Sequence, residues 1–270
     1  MELELKPEIL TRATRKPLFR SEIILDGLFT EGVVLCESDG DRIVYESALQ
    51  TLSPPFPDLR FIPVGGIGGF KETAKLFRAL GVPVTIASDF DLLLKSELPD
   101  VVGELNESEA KVLKDKINGL REKILEEARG LTVEGAMTRV EETIQSLKSR
   151  AAQDRGSQFE MVSELRSKLN LLSRELSPQQ NLKLKGVAAV PEGLQAEINS
   201  LITNLKSIGL FLVPCGELES WVPTLMTGVT RENKSLWATE AARKIEEQGE
   251  GEGDIWAYIR SMVDYFRGAI

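Results

Sequence analysis

The chain has 270 residues, of which 42% are hydrophobic and 28% charged, enough for a sizeable core in one large domain or two modest ones. Its net charge of −9 argues against indiscriminate binding to nucleic acid. The absence of histidine excludes Ser-His-Asp and Cys-His catalysis and a typical zinc site, leaving any acid–base or metal chemistry to carboxylates, lysines, hydroxyls and water.

No apolar run approaches the roughly 20 residues of a membrane span, and no segment reads as a signal peptide. Cys36 and Cys215 each close an apolar run. They are expected to be free, buried thiols of a cytoplasmic protein rather than a disulfide pair.

Residues 1–31 mix charges, with Arg12, Arg15, Lys16 and Arg20 around Pro17 and Phe19, and read as a linker or the remnant of an upstream domain. Residues 32–103 then alternate strands and helices. Val33 to Cys36 is a short buried strand, followed by a helix through Ile43, Val44 and Leu49. After the Pro54-Pro55-Phe56-Pro57 break comes a second strand, Leu59 to Val64. The glycine-rich turn Gly65 to Gly69 leads into a helix from Phe70 to Leu80, stopped by Gly81. A third strand lies in Val82 to Leu94, an apolar, β-branched run that ends in Asp89-Phe90-Asp91. Strand, helix, strand, helix, strand with short loops predicts a parallel α/β unit.

From 104 to 185 the apolar positions fall at helical spacing: Leu113, Ile117, Leu120, Ile124, then Val140, Ile144, Leu147, then Leu165, Leu169, Leu172. This predicts a helical insert docked on itself, broken near Gly130 and Gly156 and ended by Pro178. Residues 186–270 resume the α/β unit. A helix from Pro191 to Lys206 precedes a fourth strand, Ile208 to Pro214, which runs into Glu217-Leu218-Glu219. Helices from about Lys234 to Glu247 and from Trp256 to Phe266 follow, separated by a flexible loop at 250–253.

Three of the four predicted strands end in paired acids: Glu37 with Asp41, Asp89 with Asp91, and Glu217 with Glu219. In a parallel sheet these ends share one rim, so six carboxylates are expected to converge. That much like charge is untenable without cations. An all-oxygen shell suits Mg²⁺ or Mn²⁺, and two such ions roughly 4 Å apart are suited to in-line attack on a phosphodiester. The glycine turn has two readings: a tight strand-to-helix connection, or a phosphate contact through Gly66 and Gly68. It matches neither a dinucleotide fingerprint nor an ATP-binding loop, whose Lys-Ser/Thr ending is replaced by Gly69-Phe70-Lys71-Glu72, so ATP turnover is not expected.

The run V-V-L-C-E37-S-D-G-D41, the glycine turn and D89-F-D91 together resemble a Toprim domain, the metal-binding fold of topoisomerases, bacterial primases and several nucleases. F-L-V-P-C-G-E217-L-E219-S-W beyond a helical insert, and L-F-T-E-G-V-V-L-C-E37 before it, resemble the overcoming-lysogenization-defect (OLD) nucleases over residues 27 to 245. That family usually has V-E-G where this chain has C-E37-S.

The resemblance implies a Mg²⁺- or Mn²⁺-dependent DNA endonuclease or nickase, corresponding to the C-terminal nuclease half of a protein whose ABC-type ATPase domain lies outside this chain, and it allows a homodimer. It also implies roles for single residues. Glu37, Asp89 and Asp91 would hold one ion, and Asp41, Glu217 and Glu219 would complete a second site. Lys234, aligned with the family's late lysine, would counter charge on the phosphorane; read from the residues alone it is equally a solvated helix-start lysine, in which case another cation such as Arg231 or Lys71 must be sought.

Two alternatives remain at this point. One is a different Toprim phosphodiester-transfer enzyme, for which a nucleophile would have to come from Tyr45, Tyr258 or Tyr265. The other is a non-catalytic interaction module with a structural cation site.

Overall fold

The computed structural model describes residues 22–128, 133–153, 162–163, 166–167, 170, 177–221, 234–251 and 253–269. Four short strands form its centre: β1 (Gly32–Cys36), β2 (Leu59–Pro63), β3 (Val84–Ser88) and β4 (Leu210–Leu212). They form one sheet in the order β2-β1-β3-β4, with every pairing parallel.

Alternation along the strands separates two cores. Val33, Leu35, Ile62, Ile86, Leu210 and Leu212 point to one face, and Val34, Cys36, Phe61, Ala87 and Phe211 to the other. Both sets are buried, which is why these strands read as continuous apolar runs rather than alternating ones.

The first face is covered by α3 (Phe70–Ala79), α4 (Leu98–Leu105), α5 (Ala110–Ala128) and α8 (Gln195–Ser207). The second carries α2 (Asp39–Gln50), α9 (Lys234–Gln248) and α10 (Asp254–Ala269). Helix on sheet on helix is the expected α/β arrangement. Two further helices, α6 (Val133–Gln153) and α7 (Pro178–Lys185), belong to the long stretch between β3 and β4.

Several expectations are corrected. Residues 22–29 are not linker: a short helix, α1 (Glu22–Asp26), buries Ile24 in the first core. A Cβ on Gly27 would meet Ile62 at 2.8 Å, so this segment lies tight against the sheet. The insert does not dock only on itself, because Leu113, Ile117, Leu120 and Ile124 of α5 share the core of β1 and β3. Pro178 starts a helix rather than ending one, with the Ser177 hydroxyl accepting from Gln180 N–H. Proline costs nothing at a first helical position, where the N–H has no partner anyway.

In the loop expected to be flexible, Glu250 is held, accepting from Ser53 and Arg260, while Glu252 lies outside the described residues. The breaks expected at Gly130 and Gly156, Leu165, Leu169 and Leu172, and residues 1–21, fall outside the described residues. Cys36 and Cys215 are both free thiols. No helix among the described residues is long and apolar enough to cross a membrane.

Candidate functional site

The order of strand addition reverses at β1: β2 lies on one side of it and β3 on the other. In open parallel sheets such a switch point leaves a crevice beyond the carboxyl ends of the strands, where ligands collect. Glu37 follows β1 and Asp89 follows β3, on either side of this crevice. The two strands are tied across it: Glu37 Oε1 accepts from Ser88 Oγ at 2.7 Å and from Asp89 N–H at 3.2 Å.

Asp41 sits in the first turn of α2. A capping box holds it there, its carboxylate accepting from Ser38 N–H and Oγ, each at 2.8 Å. Burial pushes its pKa up to about 6; the Ser38 hydrogen bonds oppose that rise, and the fields of Glu37 and Glu219 add to it. Burial, with Glu37 beside it, also raises Asp89 well above the usual carboxylate range, despite an ion pair to Lys183 Nζ at 2.7 Å.

Asp91 is only 4% exposed. One of its oxygens faces Gln179 Nε2 at 3.4 Å and Lys95 Nζ at 3.5 Å, while the buried Oδ1 has no hydrogen-bond partner. Glu217 and Glu219, both buried, flank the turn after β4. Lys234, at the start of α9, places Nζ 2.9 Å from Glu219 and 4.0 Å from Glu217.

The fields these groups exert link all six predicted acids to one neighbourhood. Asp41 senses Glu37 and Glu219. Lys183 senses Asp89, Asp91 and Glu37, and Lys234 senses Glu219, Glu217 and Lys183. Burial alone would lower both ammonium groups, but the carboxylates around them raise both instead.

Sequence reasoning expected the acids to close into one cluster. Among the described residues, however, no three acid, cysteine or histidine side chains are grouped so as to hold a metal ion. Lysines and hydroxyls divide the rim into separate pairs, which is how protein groups alone relieve its like charge. The donors nevertheless suit a hard divalent ion. All are carboxylate oxygens, and the unpartnered buried Oδ1 of Asp91 is the kind of atom a cation satisfies.

The remaining candidates separate clearly. Gly66 N–H donates to Glu37 C=O at 2.9 Å, so that amide is already committed. Gly65 and Gly66 take φ values of 75° and 104°, which explains glycine at both positions by turn geometry. Gly68 lies in the short 3₁₀ turn that follows, and a Cβ there would meet nothing. Lys71 pairs with Asp100 and takes no part in the rim, and Arg231 lies outside the described residues. Tyr45 and Tyr258 are buried among the aromatics of the second core, with burial raising both phenols, and Tyr258 Oη donates to Phe211 C=O. Neither is poised as a nucleophile.

Lys183, Gln179, Ser88 and Lys95 were not foreseen. For the first two a signal was available: Ser177-Pro178 is a helix-start pair, and positions 179 and 183 then share a face, one turn apart.

A parallel sheet covered on both faces, with acids at three successive carboxyl ends, defines a Toprim-like α/β protein. Residues 28–91 match the family model described as "Overcoming lysogenization defect protein-like, TOPRIM domain", and this segment is an OLD-like Toprim domain. The match spans β1 to Asp91 and so contains Glu37, Asp41, Asp89 and Asp91. Solved structures similar to the chain include the C-terminal region of the Xanthomonas campestris pv. campestris OLD protein, phased with mercury and, separately, with iodine. Each is 22% identical over 89% of this chain and 96% of the other, with a TM-score of 0.35. Comparison with curated proteins finds no match.

Proposed function

We propose that the chain is a Mg²⁺- or Mn²⁺-dependent DNA endonuclease or nickase that hydrolyses phosphodiester bonds at the carboxyl rim of its sheet. The observation that carries this reading is the position of Glu37, Asp89 and Asp91 at the switch-point crevice, within the segment matched as an OLD-like Toprim domain. Glu37, Asp89 and Asp91 would hold one ion, and Asp41, Glu217 and Glu219 a second. Ions bound there supply an activated water and neutralise charge on the attacking and leaving oxygens.

The chain's own residues do the rest. Ser88 fixes the rotamer of Glu37, and the capping box fixes Asp41, so neither carboxylate has to be ordered when the site is filled. Lys234 is two-thirds exposed and reaches the acids from outside, where a DNA phosphate would approach. The phosphorane carries one more negative charge than the diester, so an ammonium there helps most at the transition state.

A second reading has support in the ion pairs themselves. Lys183 on Asp89 and Lys234 on Glu219 relieve part of the rim's charge without metal, as a non-catalytic docking module would need. Incubating supercoiled plasmid with the protein in Mg²⁺, Mn²⁺ or chelator separates the two. The nuclease reading expects metal-dependent nicking or linearisation, lost in Asp89→Asn while the fold is retained. Intact plasmid in both metals would leave the docking module standing, and undiminished cutting by the variant would overturn the placing of an ion on Asp89.

A further inference from the structure

Helix α7 holds both acids of the Asp89-Phe90-Asp91 pair from a single face. Gln179 Nε2 lies 3.4 Å from Asp91 Oδ2, and Lys183 Nζ, one turn later, 2.7 Å from Asp89 Oδ2. The helix is itself locked to the end of β4. Val187 N–H donates to Pro214 C=O, Ser220 Oγ donates to Leu184 C=O, and Phe90 N–H donates to Gly216 C=O. Two glycines allow the backbones to cross: Gly186 with φ 57° and Gly216 with φ 113°. A Cβ on Gly216 would sit 2.3 Å from Lys183 C=O, and one on Gly186 2.0 Å from Pro214 C=O. The crossing therefore fixes Lys183, whose side chain is only 26% exposed, over a carboxylate that is 13% exposed.

An ammonium and a divalent ion on one carboxylate repel each other and share its negative charge, so each weakens the other's hold. We propose that Lys183 is a built-in competitor for cation binding: it neutralises Asp89 in the metal-free protein and opposes the entry of an ion at the Asp89–Asp91 pair. The inference rests on the metal-dependent reading above and adds a function for α7, which lies outside the matched Toprim segment.

The test is Mn²⁺ binding by calorimetry on the whole chain, with Lys183→Met, Lys183→Arg and, as an off-site control, Lys71→Met. Removing the competing charge should tighten Mn²⁺ binding by roughly tenfold or more, the scale on which an adjacent cation alters proton affinity at a carboxylate. Lys183→Arg retains the charge and should stay near the parent, as should Lys71→Met. Melting in chelator should also fall for Lys183→Met and recover fully on saturation with Mn²⁺.

A lysine with a purely structural role would lower the melting point without tightening the ion. Equal or weaker Mn²⁺ affinity in a folded Lys183→Met protein overturns the inference while leaving the nuclease reading intact. Mn²⁺ binding to neither the parent nor the variant overturns both. Tightened binding without plasmid cleavage supports the competitor and counts against the nuclease.

Discussion

Replacing Lys234 by alanine should remove a structural charge and a transition-state charge together, and the structure sets the size of each loss. Its ammonium lies 2.9 Å from Glu219 and 4.0 Å from Glu217, and both carboxylates are buried while the lysine is largely in solvent. A fully exposed pair is worth about 0–1 kcal/mol, and stripping the partner from a buried charge costs about 3–5 kcal/mol. With one side wet and the other dry, a loss of about 1–2 kcal/mol is expected. At about 2–4 °C per kcal/mol for a chain of this order of size, melting in chelator should fall by roughly 2–8 °C. Mn²⁺ restores positive charge to the same acids, so its stabilising effect should be larger in the variant than in the parent. Plasmid cleavage should slow by about 10²–10³, the usual cost of losing a preorganised donor at the transition state. Lys234→Arg should recover the stability but only part of the rate, because a planar fork does not reproduce a point charge. Paired melting curves and single-turnover nicking rates measure both quantities. Cleavage at the parent rate would show that the ammonium never meets the reacting phosphate. An unchanged melting point in chelator would show that Glu217 and Glu219 do not depend on it.

Stability of the metal-free protein should decline with pH across the acidic range. Asp41 has its folded pKa raised to about 6 from an ordinary 3.8, so between these values the folded state retains a proton that the unfolded state has released. Folding stability then falls by up to about 1.4 kcal/mol per pH unit through that window, roughly 3 kcal/mol in all at most. Asp41→Asn should reduce the slope of urea-unfolding stability between pH 4 and 6 without abolishing it, because Asp89, also raised, titrates across the same range; an unaltered slope would assign the titration elsewhere. Gly216→Ala should cost about 2–4 kcal/mol, because φ 113° disfavours a side chain and the new Cβ would meet Lys183 C=O at 2.3 Å. A urea midpoint equal to the parent's would mean that the α7 crossing yields easily.

Legibility in the sequence followed the range of the interactions involved. Both faces of the sheet are covered, so β1 to β4 announced themselves as apolar runs, and their shared direction followed from the helices between them. The six acids were visible because turn residues at strand ends are local in sequence. The order β2-β1-β3-β4, which puts Glu37 beside Asp89, is set by packing between distant segments and left no local trace. Pro178 misled for a different reason: proline ends a helix from inside and begins one from its first position, and only the preceding Ser177 distinguishes the cases.

That one misreading concealed Lys183, the cation that divides Asp89 from the other acids. Once a helix begins at Pro178, Gln179 and Lys183 fall on one face, but α8 still lies between them and β4. What brings that face to the Asp89–Asp91 pair is the backbone crossing at Gly186 and Gly216, where Val187 N–H donates to Pro214 C=O beyond the end of β4. Strand β4 in turn pairs with β3, whose end carries Asp89. Distance along the chain therefore does not decide which cation meets the acids: Lys71, closer to Asp89 in sequence, is spent on Asp100, while Lys183, far beyond it, takes Asp89.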